Sequence, residues 1–221
     1  MSVAPDTAAA PRTGARALRA EQTRAKLVDA AKQTFEEKGF LASSVADIVK
    51  RAGVSHGLFY HYFTSREDVL REIVTEADAR LWAPMYDVML DRSSKASPAD
   101  RIRAAMRAFL QTYRDEVAIM RVVEEVSRYD EHVRAARLER LREYRDEMSD
   151  SIRRLQRRGL ADRNLDPTIV AMVLGSITMR FPEMWLVEHL VDCSFDDAVD
   201  HLAVIFIAAL GLKEPPDPPA G

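Results

Sequence analysis

The stretch SSVADIVKRAGVSHGLFYHYFTSR, residues 43–66, reads as two short helices joined at a glycine and ending in an aromatic face. Ser43 and Ser44 are residues that cap helix N-termini. Val45, Ile48, Val49 and Ala52 then recur at the spacing that lays one apolar stripe along a helix, which predicts a first helix over 44–52. Gly53 supplies the positive φ that a sharp helix-to-helix turn demands, and apolar Val54 plugs the angle. Ser55 caps a second helix running through Phe63. Leu58, Phe59 and Phe63 fit its inner face, which leaves His56, Gly57, Tyr60, His61 and Tyr62 for the others. Lys and Glu are the usual residues of a plain solvent face. Aromatic rings with polar tips suit phosphates and thymine methyls instead, and Gly57 lets another backbone approach closely.

Upstream, Leu27, Ala31 and Phe35 predict a helix over 21–38, with Gly39 as its stop. Residues 1–20 are rich in Ala, Pro and Arg and read as an unstructured arm. Its Arg12, Arg16 and Arg19 suit either a solvated tail or an arm reaching phosphates or a neighbouring minor groove.

The run from Thr23 to Ile73, with AGVSHGLFYHYF at its centre, closely resembles the DNA-binding region of the TetR family of bacterial transcriptional regulators. The resemblance rests on Phe35 and Gly39, on Ile48 with Ala52-Gly53-Val54-Ser55, on Gly57, Tyr60 and Phe63, and on the Ser-Arg-Glu that opens the next helix. It implies that Ser55, His56 and Gly57 approach DNA and that Tyr60 contacts its backbone or a base methyl. Tyr62 stands where relatives often carry His, which here is His61. Arg66 stands where Lys is usual. Both keep a donor for phosphate. With Ser43 and Ser44 at the first helix start, these nine residues form the candidate DNA-binding set.

Downstream the chain reads as helix throughout. Glu67 to Leu81 is periodic, Pro84 marks a kink or break before a segment over 85–90, and residues 92–100 form a linker whose Ser97-Pro98 starts the next helix. Helices over 98–114, 116–128 and 130–158 follow, the last ending at Gly159. Asp166-Pro167 opens another, which Pro182 disrupts, and Phe195 to Leu210 forms the last. The expected class is all-α: a helix-turn-helix domain over 21–66, a helical effector-binding and dimerisation domain over 67–212, and a tail over 213–221.

The resemblance also implies pairing of the last two long helices with their copies across a two-fold axis. Recognition helices about 34–36 Å apart would then read successive major grooves of a pseudo-palindromic operator. Ile169, Val173, Ser176, Leu202, Ile205, Phe206 and Ala209 are the interface candidates, with a monomer core as the alternative use of the same apolar residues. Relatives commonly bind a small molecule between the body helices. Met89, Met106, Phe109, Tyr113, Met120, Met148, Met172, Met179, Arg180 and Trp185 are the effector-pocket candidates, since methionine and aromatic residues line adaptable apolar pockets as readily as they fill cores.

Composition narrows the remaining classes. The 221 residues carry formal charge −3, yet residues 1–65 hold nine Lys or Arg against six Asp or Glu, net +3, which leaves −6 on the rest. A basic head on an acidic body suits a reader of duplex DNA. Cys193 is the one cysteine, so no internal disulfide forms. No apolar run reads as approaching the roughly 20 residues that span a bilayer, so a cytoplasmic protein is expected. The five histidines form no His-x3-His pair. Glu124, Glu125, Asp130, Glu131 and His132 cluster, and a solvated helix end accounts for them better than half of a metal site does. No metal, cofactor or catalytic residue is expected. The sequence reads as a repressor released from its operator by a hydrophobic or amphipathic effector. The alternatives are an activator or architectural DNA-binding protein without an effector and, third, a helical-bundle metalloenzyme.

Overall fold

The computed structural model describes residues 10–90 and 93–213, and among them every regular element is helical. The order is α1 (Ala10–Lys38), α2 (Val45–Ala52), α3 (His56–Tyr62), α4 (Arg66–Leu90), α5 (Pro98–Asp115), α6 (Val117–Ser127), α7 (Glu131–Arg157), α8 (Pro167–Pro182), a π-helical turn (Glu183–Val187) and α9 (Phe195–Leu210). Residues 1–9 of the expected arm and 214–221 of the expected tail lie outside the described residues. The chain divides into two compact units, Met1–Ile73 and Val74–Gly221. The division therefore falls inside α4 rather than at its start.

The first unit is built as its local signals dictate. Ser44 accepts from the Asp47 amide while the Asp47 carboxylate accepts from the Ser44 amide, a closed capping box at the start of α2. Gly53 ends α2 in the left-handed region at φ 63°, where a side chain would be strained. Ser55 accepts from the Leu58 amide and caps α3. Leu27, Ala31, Phe35, Phe40, Ile48, Phe59, Phe63 and Leu70 are buried and form the core. Residues 10–20, expected to be unstructured, continue α1. Four alanines, Leu18 and three arginines are strong helix formers that offset Gly14, and Pro11 sits in the first turn, where its missing N–H is not needed.

In the second unit α4 runs through Pro84 without the expected break. A proline there removes one helical hydrogen bond, but Leu81, Trp82 and Met85 on both sides of it are at most 2% exposed and hold the helix against the core. Ser97, Asp130, Asp166 and Ser194 accept from backbone amides at the starts of α5, α7, α8 and α9. Of the acidic cluster near residue 130, Asp130 is thus a helix cap, Glu131 pairs with Arg134 at 3.2 Å and Glu124 is held by Arg137 at 2.6 Å. Pro182 closes α8, and the chain passes into the π turn.

The stretch Pro167–Val187 corrects one expectation: at 21 residues with mean hydropathy 1.3 it is long and apolar enough to cross a membrane. In the fold, Ala171, Leu174, Gly175 and Thr178 on this helix are buried in the helical core. α8 packs closely on α7 at Gly175, where an added Cβ would stand 2.6 Å from Cε1 of the Tyr144 ring. Tyr144 is fully buried, in ring contact with Trp82 at 5.0 Å, and cannot swing aside. Gly175→Ala is therefore expected to lower stability by about 1–3 kcal/mol through overpacking. A thermal melt coincident with that of the parent would contradict a rigid contact between Gly175 and the Tyr144 ring.

Candidate nucleic-acid interface

α3 presents His56, Gly57, Tyr60 and His61 to solvent, with Tyr60 57% exposed although it is a large aromatic. Its buried residue Phe59 anchors the helix, and the Tyr60 ring meets Phe59 edge-on at 5.4 Å. Tyr62 is half-buried, its ring edge-on to His61 at 5.0 Å. Ser55 and Ser44 are exposed at the starts of α3 and α2, where each already caps its helix.

Gly57 has no role inside the chain. A Cβ built on it would meet only the Ser55 hydroxyl at 4.0 Å, and its φ is not positive. Gly57 is the second residue of α3, in its first turn, where glycine costs less than the roughly 0.5–1 kcal/mol it costs in a helix interior.

Two members of the expected set are placed differently. Ser43 is buried and its hydroxyl donates to the Phe40 carbonyl at 2.7 Å. Arg66 is half-buried, donates to the Phe40 carbonyl at 2.9 Å and to that of Ser43 at 2.5 Å, and lies over the Phe40 ring at 4.4 Å. Both residues clamp the turn between α1 and α2. The Arg66 partners lie 26 and 23 residues away in sequence, whereas Ser43 bonds Phe40 only three residues back, a turn contact that its reading as a helix-start residue passed over. Lys50, absent from the expected set, is exposed in the last turn of α2 and has no carboxylate partner among the described residues. A cation closing the helix just before Gly53 was the available signal.

Other cations of the head are committed to holding it. Arg51 pairs with Glu37, Arg24 with Glu72, and Lys38 with Asp47 at 2.5 Å. Lys38, together with the Ser44 hydroxyl and amide, holds the Asp47 carboxyl down at about 2. A depressed carboxyl stabilises the fold above its ordinary value of 3.8 and loses that contribution as pH falls through about 2. The Asp47 carboxylate of the capping box therefore stays ionised around neutral pH.

In the second unit the candidate effector residues scatter. Met106, Phe109, Tyr113, Met120, Met148 and Trp185 are all buried in the helical core. Met106 and Met148 also line a groove of about 1130 Å3 between α5, α7 and α9. Met179 lines a smaller cavity of about 290 Å3, bounded by α4, α6, α7 and α8, together with Asp78 and Trp82. Met172 is half-buried, and the side chain of Met89 lies outside the described residues. Arg180 is exposed and pairs with Glu183 at 2.7 Å and Glu188 at 3.0 Å, so it is a surface ion pair rather than a pocket wall.

The interface candidates divide by helical phase. Ile169, Val173 and Ser176 form an exposed stripe on α8, with Ile169 64% and Val173 53% exposed. Ile205 and Ala209 are exposed on α9, beside Val204 and Ala208. Leu202 and Phe206 point the other way, into the core of the chain at no more than 2% exposure. They stabilise the unit itself and are not available to a second copy.

Residues 27–73 match the family described as bacterial regulatory proteins, tetR family, and residues 95–185 match the tetracyclin repressor-like C-terminal domain. Over 98 residues the chain is 30% identical to the HTH-type transcriptional regulator BetI of Paraburkholderia phytofirmans, a match spanning 44% of this chain and 47% of that protein. Against BetI of Burkholderia thailandensis it is 28% identical over 109 residues, 49% of this chain and 51% of that one. The chain thus spans about half the length of the curated relatives it matches. Among solved structures it resembles SmeT, the repressor of the Stenotrophomonas maltophilia multidrug efflux pump SmeDEF, with TM-score 0.67 and 22% identity over 88% of this chain and 91% of that one. The fatty acid degradation regulator FadR from Bacillus halodurans gives TM-score 0.69 at 18% identity over 86% of this chain and 97% of that one. At such identities these two structures establish a shared fold. With head and body each matched to the family, and the fold shared along most of its length, the chain belongs to the TetR family of bacterial regulatory proteins.

Proposed function

We propose that the chain is a dimeric, sequence-specific DNA-binding regulator of the bacterial cytoplasm, a repressor that leaves a pseudo-palindromic operator when a small hydrophobic or amphipathic molecule occupies its helical unit. The observation that carries the DNA reading is Gly57: the fold gives it no reason to be glycine, while its neighbours His56, Tyr60 and His61 stand exposed with hydrogen-bonding tips. A phosphate chain lying across α3 supplies that reason, since only a bare backbone lets it come close. Ser44 and Ser55 on the helix starts and Lys50 on α2 add donors around it. The exposed stripes on α8 and α9 support self-association. SmeT is a repressor, and it has been seen in complex with triclosan; both facts support a ligand-released repressor here. No catalytic step belongs to this reading.

Gly57→Ala tests it, because its effects on folding and binding have opposite signs. The variant is expected to be at least as stable as the parent, gaining at most about 0.5 kcal/mol in the first turn of α3, while retaining duplex DNA less well than the parent. A variant that is as stable as the parent and equally retentive would remove α3 as the reading face.

A further inference from the structure

Asp78 and Trp82 stand one turn apart on α4 and line the same cavity of about 290 Å3. Both are more than nine-tenths buried, at 8% and 2% exposure. Trp82 Nε1 has no hydrogen-bond partner. Asp78 makes neither a hydrogen bond nor an ion pair among the described residues; it feels Arg137 and Arg140 only at a distance. Its oxygens are not sealed in the protein and open onto the cavity, so the charged form, poorly hydrated and unpaired, gains most from a cation placed there.

The other charges at the cavity are already matched. α7 contributes Arg134, Arg137 and Arg140. Arg134 is paired with Glu131 at 3.2 Å, Arg137 with Glu124 at 2.6 Å and Arg140 with Glu143 at 2.8 Å. Arg137 also donates to the Ser127 hydroxyl at 3.0 Å. From α8 come Ser176 and Met179, neither of them charged. Burial raises the Asp78 carboxyl above the ordinary carboxylate range despite Arg137 and Arg140, so the arginines undercompensate it. The unmet charge in this wall is negative, and Leu141 and Met179 provide apolar surface beside it.

We infer that this cavity takes a small molecule carrying a protonated amine on an apolar body, with the ammonium against the Asp78 carboxylate and the body against Trp82, Leu141 and Met179. The inference rests on the effector reading above and adds the chemical class of the ligand. An anionic ligand would face Asp78 with like charge and would have to take an arginine from its glutamate.

Three compounds sharing one body, 4-phenylbutylamine, 4-phenylbutanol and 4-phenylbutyrate, test it by calorimetric titration into the full chain and into Asp78→Asn. The amine is expected to bind at least tenfold more tightly than the butyrate, and Asp78→Asn to weaken the amine at least tenfold while leaving the alcohol within twofold. Unchanged binding of the alcohol shows that the variant is folded, and Asp78→Glu, which keeps the charge, is expected to keep the preference. Equal binding of the butyrate, survival of the amine preference in Asp78→Asn, or no binding of any of the three overturns the ligand class. Retention of duplex DNA measured with the same amine separates the two readings. Binding through Asp78 without release of DNA overturns the effector role and leaves the ligand class standing; release by a compound of another class, with no amine binding, does the reverse.

Discussion

Replacing Ile169 and Val173 together by Asp is expected to turn the protein into a monomer and to lower operator affinity by two orders of magnitude or more. Ile169 and Val173 are among the most exposed apolar side chains of the chain, at 64% and 53%, and stand one turn apart on α8 with Ser176 next in the stripe. Leu174 and Thr178 on the opposite face of the same helix are buried, so the substitutions leave the core of the unit intact. In the proposed dimer two carboxylates introduced per chain would face their copies across a two-fold axis, where like charges cannot be solvated once apolar surface closes around them. Two linked heads bind a double site more tightly than one by a factor of about 10²–10⁴, and the variant forfeits that factor. Sedimentation equilibrium checks the first claim and a duplex titration the second. A variant that remains dimeric would move the interface off α8, and a parent protein that is already monomeric would remove it.

Tyr60→Ala is expected to weaken operator binding without lowering the stability of the head. Tyr60 is 57% exposed, and its one recorded ring contact is with Phe59, which stays buried under the rest of the core. A side chain contacting a base edge or phosphate is worth about 1–3 kcal/mol, and a dimer loses it twice, so about 2–6 kcal/mol is at stake. At the lower end that is roughly a thirtyfold loss of affinity. Measured at fixed salt beside a thermal melt, the two readouts separate a reader from a core residue. Loss of both together would mean that Tyr60 supports the fold.

How much of this was legible in the sequence depends on the range of the interaction involved. The turn between α2 and α3 was legible because Ser44, Asp47, Gly53 and Ser55 act within three or four residues of themselves. The structural use of Arg66 was not legible because the carbonyls that claim it lie 23 and 26 residues away, and Ser43, though its partner Phe40 is only three residues back, is turned inward by the burial of that turn. α4 runs past Pro84 because buried Leu81, Trp82 and Met85 outweigh one missing hydrogen bond. In α9 the composition is apolar nearly all round, so periodicity could not tell the core face with Leu202 and Phe206 from the outer face with Ile205 and Ala209. Asp78 was the least legible residue. Between Ala77 and Ala79 it reads as an ordinary polar position, and only the fold shows it enclosed and unpaired.

The most direct test of the central claim is selection of bound sequences from a random duplex pool by the purified protein at a stated salt concentration. A dimer reading DNA through α3 predicts recovery of a pseudo-palindromic site whose half-sites are centred about one helical turn, or a multiple of it, apart. Recovery of no sequence above background by folded protein would contradict it.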